Sequence, residues 1–108
     1  MSEDDETEIV VFEGPSFKKA FKKLSEEEKL IVEDVIDEII ADPEIGQRKK
    51  GDLSYMWVYK FKIDSQEALL GYSWKAEQLE VYLLTLGYHE NFYQGAKRRR
   101  KADLRFMG

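Results

Sequence analysis

The chain contains no cysteine. That absence removes disulfide cross-links, a thiol nucleophile and every cysteine-based metal centre. There is one histidine, His89, and there are two prolines, Pro15 and Pro43. No apolar run approaches the length needed to span a bilayer. The first residues, Glu3, Asp4, Asp5 and Glu6, are acidic where a secretory signal would be basic. A soluble, cytoplasmic protein with no membrane partner is therefore expected. With 108 residues there is material for one core and not two, so residues 1–108 read as a single domain. Hydrophobic residues make up 43% and aromatic residues 13%, enough buried surface to exclude disorder over the whole chain.

Charge is spread unevenly. Residues 1–47 hold fifteen acids against five lysines, net −10, and residues 48–108 hold twelve cations against seven acids, net +5. A partner responds to the local potential, so the second half is suited to a polyanion although the chain as a whole is acidic. The plainer reading is a charged, solvated coat.

Hydrophobic periodicity orders the elements. Residues 7–13 are β-branched and aromatic and read as a first strand. Gly14 and Pro15 break it, and Pro15 suits the first position of a helix. Phe17, Ala20, Phe21 and Leu24 then recur at helical spacing. Ser25 followed three residues later by Glu28 is a capping box opening a second helix. Its apolar stripe is Val32, Val35, Ile36, Ile39 and Ile40, and Asp42-Pro43 ends it. After a polar connection over 44–54 the period becomes two. Tyr55, Trp57, Tyr59, Phe61 and Ile63 share one strand face, and Met56, Val58, Lys60 and Lys62 the other. Residues 67–74 and 79–86 follow as two more strands after short turns, the latter apolar nearly throughout and expected to be central. A basic stretch from about 89 to 101 reads as a last helix or tail. Residues 1–6 and 101–108 are expected to fray. The fold class is α+β: an N-terminal strand and a helix hairpin packed on an antiparallel sheet of about four strands.

Three segments in this order resemble the RelE/ParE superfamily, the toxins of bacterial type II toxin–antitoxin modules. They are Phe17-Lys18-Lys19-Ala20-Phe21-Lys22-Lys23-Leu24, then Lys50-Gly51-Asp52-Leu53-Ser54 leading into Trp57-Val58-Tyr59-Lys60-Phe61-Lys62, and Leu86-Gly87-Tyr88-His89-Glu90-Asn91-Phe92-Tyr93. The resemblance implies a cognate antitoxin as partner and mRNA on the ribosome as target, cut as a metal-independent endoribonuclease (mRNA interferase) with no cofactor. It also carries two alternatives. One is a toxin of the ParE kind that inhibits DNA gyrase by binding; the other is an inactive relative that serves only as a protein-binding module.

Such RNA cleavage needs a base for the 2′-hydroxyl, cations for the phosphate and an acid for the leaving oxygen. By resemblance, Lys60 matches a basic strand position of the ribonucleases and Lys62 is its neighbour on the same face. His89 matches a position that is arginine or histidine in the family, and Tyr93 the tyrosine that stacks on a base. These four are the candidate catalytic residues. Lys49, Lys50, Arg98, Arg99 and Arg100 are the candidate RNA contacts. Each has a plainer reading: His89 as an exposed helix-start residue, Tyr93 as an anchor for the last helix, the lysines as the solvent face of a strand, the arginines as a solvated run. Val58 and Leu69 stand where the resemblance leads one to expect cations.

Overall fold

The structure, a computed structural model, describes residues 8–108; the fraying expected for residues 1–6 lies outside them. The chain runs β1 (Val10–Glu13), α1 (Pro15–Lys22), α2 (Glu26–Ala41), β2 (Gln47–Arg48), a 3-10 turn (Gly51–Leu53), β3 (Trp57–Ile63), β4 (Gln66–Lys75), β5 (Glu80–Tyr88), α3 (His89–Arg98) and α4 (Arg100–Met107).

The local signals act as read. Pro15 opens α1. At α2 the Ser25 hydroxyl accepts from the Glu28 N–H while the Glu28 carboxylate accepts from the Ser25 N–H, so two otherwise orphaned donors are satisfied. Asp64 and Ser65 both take positive φ, 52° and 80°. Two such residues in a row make the tight turn that matches the strand twist, and Ile63 faces Gln66 across it.

The sheet has the order β1-β5-β4-β3-β2. β2 to β5 are antiparallel to their neighbours, while β1 lies parallel to β5. Two details thus differ from expectation. A fifth strand exists, too short at two residues to show a period, and the first strand joins in parallel because α1 and α2 intervene before the meander. In β5, Leu83 faces Tyr72 and Thr85 faces Gly71, so Leu84 is an extra residue, a bulge.

Two apolar clusters form, one on each sheet face. The first joins Phe17 of α1 and Val32, Val35 and Ile39 of α2 to Ile63, Ala68, Leu70, Tyr72, Val81 and Leu83. Tyr72 also ties down the chain after α2: its hydroxyl donates to the Pro43 carbonyl and accepts from the Gly46 N–H. A Cβ at Gly46 would stand 2.8 Å from that hydroxyl and 2.9 Å from the Val58 carbonyl, so only glycine passes there. The second cluster lies under α3 and α4: Leu53, Met56, Val58, Leu69, Tyr82, Leu84, Phe92 and Ala96, with Tyr55, Tyr93, Phe106 and Met107 half-buried against it.

Two expectations need correction here. Residues 101–108 do not fray: they form most of α4, held by the Lys75 ammonium on the Met107 carbonyl and by Phe106 edge-on to Tyr82. Tyr55 does not share a face with Trp57; it packs in the second cluster. The 3-10 turn ends just before it, and strand alternation begins only at Trp57.

Candidate functional site

The second face is half closed. Val58 is 3% exposed and Leu69 is fully buried. The two positions where cations were expected are thus part of the bed on which α3 rests. Past Val58 the face opens, and Lys60 and Lys62 are both exposed. Lys60 stands opposite Leu69, which stands opposite Gly87. Two strand spacings, roughly 10 Å, therefore separate the backbones of Lys60 and Gly87. His89 comes two residues later, so the lysines and the imidazole border the same end of the face.

His89 is the first residue of α3 and is exposed. One helical turn on, Tyr93 meets it edge-on, with ring centroids 6.3 Å apart. Tyr93 is half-buried, edge-on to Phe92 at 5.1 Å. The Lys49 ammonium lies 5.0 Å from the centre of the Tyr93 ring, a cation–π contact. Lys49 is placed there by its backbone, whose N–H donates to the Met56 carbonyl. An imidazole, a phenol and an ammonium from segments forty residues apart in sequence thus come together, with Lys50 exposed beside them.

The three arginines separate. Arg98 is exposed and lines a cleft of about 420 Å³ with Asn91 and the end of β5. Arg99 turns inward: it folds back over Gly95, and its Nη2 donates to the Thr85 hydroxyl at 2.8 Å. Arg100 donates from Nε to the Asp52 carbonyl at 2.8 Å. Of the three, only Arg98 has no protein partner for its guanidinium among the hydrogen bonds of the described residues.

Sequence reasoning missed two groups. Glu67 is exposed on the second face directly opposite Lys62, a carboxylate among the cations; strand alternation could have found it. Asp103, 6% exposed, sits beside Arg99 and Tyr55. Asp103 Oδ2, Arg99 Nε and the Tyr55 hydroxyl are each buried without a hydrogen-bond partner. Desolvation pushes the Asp103 carboxyl up to about 6, with Arg99 pulling the other way, and burial raises the Tyr55 phenol to about 12. The folded chain therefore holds a proton on Asp103 between its ordinary value of 3.8 and about 6 that the unfolded chain releases. Stability tied to this group is full below the lower value and is lost as pH rises through about 6. Asp103→Asn is expected to be more stable than the parent at pH 7, by on the order of 1–3 kcal/mol, and equal to it near pH 4. Thermal melts at both pH values measure this; an equal gain at both would show that charge is not the cause.

Among the described residues no group of three or more His, Asp or Glu is disposed to hold a metal, and no helix is long and apolar enough to cross a membrane.

A family model described as ParE-like toxin of type II bacterial toxin–antitoxin system matches residues 11–97. The chain belongs to this family. No curated protein sequence matches the toxin. Among solved structures, it resembles the intact RelBE toxin–antitoxin complex of E. coli, at 20% identity and TM-score 0.62 over 76% of this chain and 98% of that one. It also resembles a free, arginine-substituted mutant of E. coli RelE, at 20% identity and TM-score 0.65 over 84% and 96%. A RelBE-type toxin–antitoxin complex from Mycobacterium tuberculosis matches at 16% identity and TM-score 0.64 over 75% and 98%. At such identities the likeness establishes the fold.

Proposed function

We propose that this toxin cleaves mRNA on the ribosome without a metal, and that its antitoxin blocks it by covering the second sheet face. The observation that carries the reading is the meeting of His89, Tyr93 and Lys49 over that face, with Lys60 and Lys62 exposed further along β3. His89 acts as acid or base, since its exposed ring nitrogens can take up or give a proton. Lys60 and Lys62 hold the phosphate as charge builds on its oxygens. Tyr93 offers a ring to a base. Lys49, Lys50 and Arg98 supply outer contacts; Arg100 stands at the edge of these, and Arg99 serves chiefly to hold α3 to β5.

The test is primer extension on mRNA from translating ribosomes incubated with purified toxin. His89→Ala is expected to lower cleavage about 100-fold or more, with the melting temperature unchanged because the side chain is exposed. Intact mRNA with the parent protein removes the reading.

A second reading is favoured by one observation: Val58 and Leu69 are buried core, so the phosphate clamp lacks two cations. On that reading the toxin binds and inhibits DNA gyrase, and needs no catalytic group. Inhibition of supercoiling, retained in His89→Ala, supports it.

A further inference from the structure

We propose that the cleft between the first turn of α1 and the side of α4 is a binding site for a free α-amino acid with an apolar side chain. The cleft shares no residue with the group of His89, Tyr93, Lys49, Lys60 and Lys62, so the result of the mRNA assay does not bear on it.

The cleft has a volume of about 340 Å³, at the small end of the range for small-molecule pockets. α1 contributes Pro15, Ser16 and Lys19 to its lining, and the end of α3 with α4 contributes Arg99, Ala102, Asp103 and Phe106. The two sides are in contact at the base of α1: a Cβ on Gly14, the residue before the helix, would stand 3.3 Å from the Phe106 ring.

The two sides call for opposite charges. α1 opens on Gly14 with no side chain capping it and no acid in its first turn. Pro15 has no N–H to offer, and the Ser16 N–H has no acceptor within the helix. The positive end of the helix dipole and the exposed Lys19 ammonium, one turn further on, favour an anion. Across the cleft, Asp103 is 6% exposed and its Oδ2 is buried without a hydrogen-bond partner. Buried polar atoms are as a rule paired. Burial pushes this carboxyl up to about 6 even though Arg99 pulls it down, as expected of a carboxylate that lacks a close donor. An ammonium group supplies that donor.

A lone anion would meet the Asp103 carboxylate. A lone cation would meet Lys19, Arg99 and the positive end of α1. A ligand with both charges suits both sides, and a free α-amino acid carries them on one carbon. Its side chain is left for the apolar walls, Pro15, Ala102 and the Phe106 ring. A peptide holds its two terminal charges further apart and exceeds the volume.

The experiment follows the amide shifts of the ¹⁵N-labelled full chain at pH 7 during titration with L-leucine, with isocaproate, which lacks the ammonium, and with isoamylamine, which lacks the carboxylate. Leucine is expected to bind at least tenfold tighter than either, with the largest shifts at Ser16 and Ala102. It is also expected to raise the melting temperature, because it binds the folded chain alone. Asp103→Asn keeps the shape and removes the charge; it is expected to bring leucine down to the level of isocaproate. Lys19→Ala is expected to weaken leucine and isocaproate severalfold, while Lys18→Ala, the neighbouring lysine outside the cleft, changes neither. Ala102→Trp, from an exposed position on α4, fills the cleft and is expected to abolish binding of leucine. Thermal melts establish that each variant is folded. Equal binding of the three ligands, leucine binding indifferent to Asp103→Asn or to a folded Ala102→Trp, or no shift at millimolar leucine overturns the proposal.

Discussion

Leu69→Arg is expected to unfold the toxin rather than to restore a missing cation. Leu69 is fully buried on the strand at the centre of the sheet, among Met56, Val58, Leu84 and Phe92. A guanidinium there would find no carboxylate, and burying an unpaired charge costs several kcal/mol even after the surroundings relax. Domains of this size are stable by only about 5–15 kcal/mol. Urea denaturation followed by circular dichroism is expected to show a lost or much earlier transition. Glu67→Arg is the control: it lies two residues earlier on the same face but in solvent, and is expected to change stability by no more than about 0.5 kcal/mol. A Leu69→Arg protein that unfolds cooperatively at the parent's midpoint would show that the second face is open, not packed, at this position.

Phe92→Ala is expected to cost about 3–5 kcal/mol and to loosen α3. Phe92 is 4% exposed. Its ring lies where two glycines leave a hollow: a Cβ on Gly71 would come within 3.0 Å of the Phe92 ring, and one on Gly87 within 4.0 Å. The ring is thus the peg by which α3 sits on the sheet, and its neighbour Tyr93 with His89 depends on it for position. Thermal denaturation measures the loss. A drop of less than about 1 kcal/mol would mean that α3 is held elsewhere, with Arg99 on Thr85 the remaining attachment.

Much of this architecture is legible in the residues, for reasons that stay local. Ser25 and Glu28 satisfy each other within one turn, Pro43 stops α2, and the alternation from Trp57 to Ile63 fixes which side chains share a face. The parts that escape are decided at a distance. Val58 and Leu69 read as absent cations, and only the packing of α3 shows them to be its bed. In Lys97-Arg98-Arg99-Arg100-Lys101 the five side chains look alike, yet one turns inward because Gly95 leaves it room and Thr85 offers an acceptor. The same run hides the start of α4, whose apolar residues, Leu104, Phe106 and Met107, are too few to set a period by themselves. The site is legible as a set of residue types, while the seat of Lys49 on the Tyr93 ring follows from a backbone hydrogen bond to Met56 that no spacing announces.

The two apolar clusters lie on opposite faces of the strands they share. α3 and α4 are held by the second cluster and a handful of polar ties, and they carry a buried carboxyl whose charging costs stability as pH rises through about 6. Lifting that pair leaves the other cluster filled and the sheet intact. The C-terminal arm is therefore expected to open before the rest of the fold, letting water reach Val58, Leu69 and Leu84; faster hydrogen exchange in α3 and α4 than in β4 is the outcome that shows it. Raising the pH from about 4 through about 6 favours that opening, because the Asp103 carboxyl gives up its proton over this range while still buried.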